Sequence, residues 1–146
     1  MQPVNNDRLL NIREVAEMLG LATATAPVKA GVKVTIFDMN DAAGKEAAVL
    51  SGAHFVRANV TSDADVDTAF AEARAVHGQK RILVNCAGTG DAIKNVSRDK
   101  ATGEVKRYPI EKFSRVIDIN LIGTFRCITA SAAGIRLDGA IRMPPR

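Results

Sequence analysis

The chain has 146 residues, of which 47% are apolar and 25% charged, with a formal net charge of +4 and a mean hydropathy of +0.00. This profile excludes disorder and fibre, fits one domain with a modest core, and is short for a two-domain enzyme. No run of ~18 consecutive apolar residues is present and Met1 to Asp7 lacks an apolar signal core, so the expectation is an intracellular protein, cytoplasmic or mitochondrial, with no membrane partner.

In chain order, Leu9, Ile12, Ala16 and Leu19 are spaced three, four and three, an amphipathic helix pattern over residues 7–19 with Gly20 as its stop. Gly31 precedes Val32-Lys-Val-Thr-Ile-Phe37, a β-branched run that reads as a buried strand closed by Asp38. Residues 40–50 are alanine-rich and end before Ser51-Gly52, which predicts a helix; His54 to Ala58 reads as a second strand. Thr61-Ser62-Asp63 offers a cap, and Val66, Ala69, Phe70, Ala73 and Val76 have the spacing of a helix face ending at Gly78. Arg81 to Asn85 reads as a third strand leading into Cys86-Ala-Gly88. Residues 89–108 read as a long loop, and Pro109 opens a helix with Phe113, Val116, Ile117, Leu121 and Phe125 on one side.

Strands alternating with helices predict an α/β fold with a parallel sheet, whose ligands bind at the carboxyl ends of the strands. Asp38, Asn59, Asn85 and Gly88 all fall there. An acid at such an end can accept hydrogen bonds from the adenosine ribose of a dinucleotide and repel the extra phosphate of NADP; an aspartate that opens a turn has the same spacing. Asn85-Cys-Ala-Gly88 is more specific, because alanine and glycine let backbone approach a ligand.

Cys86 and Cys127 stand 41 residues apart, and His54 and His77 have no partners at zinc-ligand spacing, so neither a metal site nor a disulfide scaffold is expected. Basic and acidic residues balance six to six over 1–60, stand three to five over 61–93, and eleven to five over 94–146. That last-third excess suits a nucleic acid, a phosphate-bearing substrate or simply a solvated face.

Asp38, Asn59-Val-Thr-Ser62, Asn85-Cys-Ala-Gly88 and Asp118-Ile-Asn-Leu-Ile-Gly-Thr-Phe125, in this order, resemble the short-chain dehydrogenase/reductases, and within them the type-2 3-hydroxyacyl-CoA dehydrogenase branch. Continuous resemblance covers about residues 19–134. It implies a single Rossmann-type doubly wound parallel sheet, here incomplete, and an NAD-dependent oxidoreductase for secondary alcohols and ketones, including 3-hydroxyacyl-CoA and hydroxysteroids. Carried over by position, Asp38 would hold the adenosine ribose, Asn59 and Val60 the adenine edge, and Asn85, Cys86, Ala87 and Gly88 the cofactor's middle. Leu19 and Gly20 would end the phosphate loop, and Asn120 would position the catalytic lysine through water. The family usually has aspartate at Asn59. A small-molecule substrate is implied if the chain is active, and a homo-oligomer of the family's kind stays open.

The sequence departs from this pattern at both ends. The slots of the T-G-x-x-x-G-x-G phosphate loop fall on Arg13, Glu14, Met18 and Gly20, so one of three glycines is present, and Glu14 adds like charge where pyrophosphate must approach. Arg13 to Gly20 followed by Ala22-Thr-Ala-Thr25 is similar instead to a helix-turn-helix segment, which opens a nucleic-acid-binding alternative through residues 7–31. Its recognition helix would contain Pro27 and Lys29 as the one base, so no nucleic-acid partner is expected. Ile135 to Met143 resembles the extreme C-terminus of the 3-hydroxyacyl-CoA branch yet follows the asparagine helix directly, as if the segment with the catalytic serine and Tyr-x-x-x-Lys pair were missing. A chance tail over 135–146 is the plainer alternative, and the run of similarity favours an internal deletion. Tyr108-Pro-Ile-Glu-Lys112 has that spacing, but Pro109 starts the helix and leaves Tyr108 outside it. With a helix where the family's central first strand belongs, two apolar strand edges should lack partners.

Overall fold

The computed structural model describes the backbone of residues 12–137 and the side chains of residues 20–135. Helix α1 (Ile12–Lys29) is followed by β1 (Thr35–Asp38), α2 (Asp41–Ser51), β2 (His54–Arg57) and α3 (Asp63–His77). A hairpin of β3 (Val96–Arg98) and β4 (Val105–Arg107) leads into α4 (Ile110–Ile117), a π-helical turn (Asp118–Gly123) and α5 (Thr124–Leu137). The result is a mixed α/β domain whose parallel sheet is the pair β1–β2, with Thr35 opposite His54 and Asp38 opposite Arg57.

The middle follows its local signals. Asn40 caps α2 by accepting the Ala43 N–H at 3.2 Å, and Gly52 ends it with φ at 76°, the left-handed conformation glycine adopts without strain. Ser62 caps α3, accepting from Asp65 N–H at 3.2 Å. Val66, Ala69, Phe70 and Ala73 are buried as their spacing predicts, whereas Val76 at the end of the stripe is exposed. Phe37 joins the two small core clusters, one of Val56, Ala58 and Ala69, the other of Val66, Phe70 and Cys127. Its ring meets Phe70 edge-on at 5.0 Å, a favoured aromatic geometry.

Five expectations are corrected. The run Val32 to Phe37, expected as a buried strand, is strand only from Thr35, half-buried along its length, with Val32 exposed. Gly20 does not stop the first helix: α1 runs through it to Lys29, and the stop is Gly31, with Gly31 N–H bonded to Val28 O and Val32 N–H to Pro27 O, both at 2.9 Å. This is the paired closure of a helix end around a left-handed glycine. The part of the helix pattern over residues 7–11 lies outside the described residues. The helix-turn-helix reading required a turn after Gly20, and residues 12–29 form one helix instead.

Arg81 to Asn85 joins no ladder. A strand needs a neighbour to take its N–H and C=O groups, and among the described residues the N-terminal segment is helical. Residues 89–108 are not all loop, since β3 and β4 pair antiparallel with Val96 opposite Arg107. Asp99 organises that turn, accepting the Ala101 and Thr102 N–H groups at 2.9 and 3.2 Å while Lys106 reaches its other oxygen at 2.8 Å. Finally, the helix opened by Pro109 is interrupted by the π turn, and Phe113, Leu121 and Phe125 are exposed rather than core.

Ile110 to Ile135 is, among the described residues, one stretch long and apolar enough to cross a membrane by length and composition. It lacks ~18 uninterrupted apolar residues, carries the ion-paired Arg126, and buries Cys127 against Val66 and Phe70. The family-like tail over 138–146 lies outside the described residues.

Candidate functional site

A cleft of about 1680 Å³ opens between α1, the carboxyl end of β1 and residues 79–90. Gly20, Asp38, Asn59, Val60, Asn85, Cys86, Ala87 and Gly88 all line it, so positions far apart in the chain meet in one space. The cleft exceeds the ~300–1,000 Å³ usual for small-molecule sites, and among the described residues no strand lies between β1 and residues 81–85. Leu19 belongs to α1, and its side chain lies outside the described residues.

Each strand-end residue is held by its own turn. Asp38 ends β1, and its Oδ1 accepts the Asn40 N–H at 2.7 Å, which leads the chain into α2. Its Oδ2 has no partner among the described residues. Asn59 Oδ1 accepts from Thr61 N–H at 3.1 Å and Thr61 Oγ1 at 2.9 Å, and its own N–H donates to Asp65 Oδ2 at 3.2 Å. A backbone N–H must meet an oxygen, so the orientation of this amide is settled and Nδ2 is the group left to donate.

Asn120 does not line the cleft but stands behind it on the π turn. Its Oδ1 accepts the Thr89 N–H at 2.8 Å and its Nδ2 donates to Thr89 O at 2.9 Å, closing a two-bond clamp on the residue after Gly88. Thr124 Oγ1 donates to Asn120 O at 2.8 Å, one helical turn back. Thr89 was invisible as a site residue in sequence, because the clamp joins backbone to a side chain 31 positions away.

On the α1 side the chemistry differs. A phosphate cradle needs free N–H groups at a helix start or in a glycine loop, whereas those of Gly20 and its neighbours lie inside a continuous helix. Tyr108 precedes α4, whose N-cap is Pro109, and lines a separate pocket of about 270 Å³ with Phe113 and Val116. Lys112 Nζ is 3.5 Å from Asp91. Among the described residues no group of three or more His, Cys, Asp or Glu side chains is arranged to hold a metal ion. Cys127 is buried, which pushes its thiol pKa up, with the Arg126 charge opposing.

A family model described as enoyl-(acyl carrier protein) reductase matches residues 15–141. The chain belongs to the short-chain dehydrogenase/reductase family. Within it, the chain is 39% identical over 119 residues to 3-hydroxyacyl-CoA dehydrogenase type-2 of Drosophila melanogaster, covering 80% of this chain and 45% of that protein. It is 38% identical over 115 residues to the Homo sapiens protein of the same name, covering 77% and 42%. The chain thus spans less than half the length of these curated relatives. Among solved structures it resembles one described as ribose-5-phosphate isomerase from Brucella melitensis 16M, with a TM-score of 0.64 and 26% identity over 82% of this chain and 43% of that one.

Proposed function

We propose that these residues form the adenosine side of the cofactor site of an NAD-dependent oxidoreductase for secondary alcohols and ketones of the 3-hydroxyacyl-CoA or hydroxysteroid type. The 146-residue chain by itself does not carry out the hydride transfer. The observation that carries the reading is Asp38, which lines one cleft with Asn59, Val60 and residues 85–88 while its Oδ1 takes the Asn40 N–H. A carboxylate there accepts from ribose hydroxyls and opposes a 2′-phosphate, which selects NAD over NADP.

The fit is divided. Asp38, Asn59 and the small residues Ala87 and Gly88 suit an adenosine and the backbone approach of a cofactor, whereas α1 offers no cradle for pyrophosphate. When bound, NAD would supply the hydride acceptor. Taking the proton from an alcohol requires a positioned base, worth ~10²–10⁴-fold in rate. The single tyrosine, Tyr108, lies on a different pocket, and Lys112 sits beside Asp91. Asn120 has both ends of its amide on Thr89 and supplies no base.

Calorimetry on the chain with NAD and with NADP tests the reading, alongside NADH absorbance with a short 3-hydroxyacyl-CoA. Weak binding that favours NAD, a further loss of about tenfold in Asp38→Ala, and no turnover are expected. Equal affinity for NADP overturns the role of Asp38. Turnover that disappears in Tyr108→Phe shows that the tyrosine–lysine pair is the active one.

A further inference from the structure

Arg126 joins parts of the molecule that are distant in sequence. Its Nε donates to Asp63 Oδ1 at 2.7 Å, at the start of α3; its Nη1 donates to Asp118 Oδ1 at 3.1 Å, on the π turn, and to Val60 O at 3.3 Å, beside Asn59. The side chain is 23% exposed although Asp63 is 82% exposed, so the guanidinium lies beneath its partners rather than out in solvent. Hydrogen bonding to Asp118 above all, and then to Asp63, holds its pKa above the ordinary arginine value against the opposing effect of desolvation.

The π turn makes this arrangement possible. In a regular α-helix, residues eight apart differ by about 80° around the axis. One extra residue in the turn rotates Asp118 and Arg126 toward the same face, where one guanidinium can take both Asp118 and the Val60 carbonyl. Gly123 completes the approach: a Cβ there would come within 2.8 Å of Val60 Cγ2 and 3.2 Å of Val60 O. On the opposite side of the same turn, Asn120 clamps Thr89.

We infer that Arg126 is a positioning residue: by fastening the turn that carries Asn59 and Val60 to the π turn that carries Asn120, it makes the base side of the cleft and the Thr89 side one rigid frame. The ligand half of this inference rests on the dinucleotide reading above; the mechanical half does not. Its consequence is that removing the guanidinium loosens two walls at once, although Arg126 itself does not line the cleft. A group that merely added stability would loosen everything in proportion.

The test is amide hydrogen exchange and 5′-AMP titration by NMR on the whole chain, on Arg126→Met, which keeps the apolar stem, and on Arg126→Lys, which keeps the charge without the planar fork. Lys45→Met, which breaks the exposed pair with Asp41, controls for loss of a surface charge. In Arg126→Met the Thr61 and Thr89 amides should both exchange about tenfold faster, while the Gly52 amide, bonded to Ala48 O, keeps its rate. AMP affinity should fall about tenfold in Arg126→Met and about threefold in Arg126→Lys, and stay unchanged in Lys45→Met. Unchanged exchange at Thr89 overturns the frame, and so does a uniform acceleration that includes Gly52. If AMP does not bind the parent chain, the dinucleotide reading falls, and the exchange pattern still decides the role of Arg126.

Discussion

The two walls of the cleft are both written as strands, and only one behaves as a strand. On the first, β1 lies in register with β2, Phe37 packs on Phe70, and Val56 is 5% exposed. On the second, Ile82 and Val84 are 77% and 56% exposed and pair with nothing in the sheet. Local pattern supplies a tendency to extend; burial needs a neighbour from elsewhere in the chain. Among the described residues α1 is a helix and no strand pairs with residues 81–85, and a continuous helix there offers no cradle for a phosphate.

The strongest way to break this contrast is to supply the neighbour. A variant in which residues 8–20 are replaced by a strand and a T-G-x-x-x-G-x-G turn should bury Ile82 and Val84 and gain about 3–6 kcal/mol, from ~1.5–3 kcal/mol for each side chain. It should also bind NAD more tightly. Calorimetric melting and NAD titration check both; no gain in either shows that the open wall has another cause. A sharper comparison uses single truncations. Phe70→Ala removes a side chain 2% exposed and should cost about 3–5 kcal/mol in denaturant unfolding, whereas Ile82→Ala should change stability by less than ~0.5 kcal/mol. Similar costs at both positions would mean that the second wall is packed after all.

The smallest effect belongs to the hairpin. Lys106 above all, then the Ala101 and Thr102 N–H groups, hold the Asp99 carboxyl below its ordinary pKa. A depressed carboxyl contributes stability above its unfolded pKa and loses it as pH falls through the folded value, so the turn should loosen below about pH 4. Protection of the Gly103 amide, bonded to Asp99 O at 2.9 Å, relative to its intrinsic exchange rate should fall in that range and do so at higher pH in Lys106→Met. A flat profile would show that the backbone alone holds the turn.

What sequence reading recovered was local. The cap at Ser62, the stop at Gly52 and the buried face of α3 each depend on residues within a turn or two of one another. The gathering of Asp38, Asn59 and Asn85 to Gly88 in one cleft was legible because alternating strands and helices bring strand ends together. The failures were of a different kind. Arg81 to Asn85 has a strand's composition and lacks its ladder; the hairpin is made by the side chain of Asp99 more than by apolar alternation. The π turn has no residue signature, so Thr89 and Arg126, which depend on it, could not be read in advance.

Gly44 sits mid-way along α2, where glycine costs a helix about 0.5–1 kcal/mol relative to alanine. A methyl group at that point would occupy the ring of Phe55 on β2. The glycine therefore acts as a spacer that sets how closely the helix lies on the sheet, and the start of that helix is the turn where Asp38 receives the Asn40 N–H. A wider spacing would draw Asn40 away from Asp38 and turn the carboxylate from its bearing, so the aim of a side chain at the end of β1 is governed from a full turn inside α2.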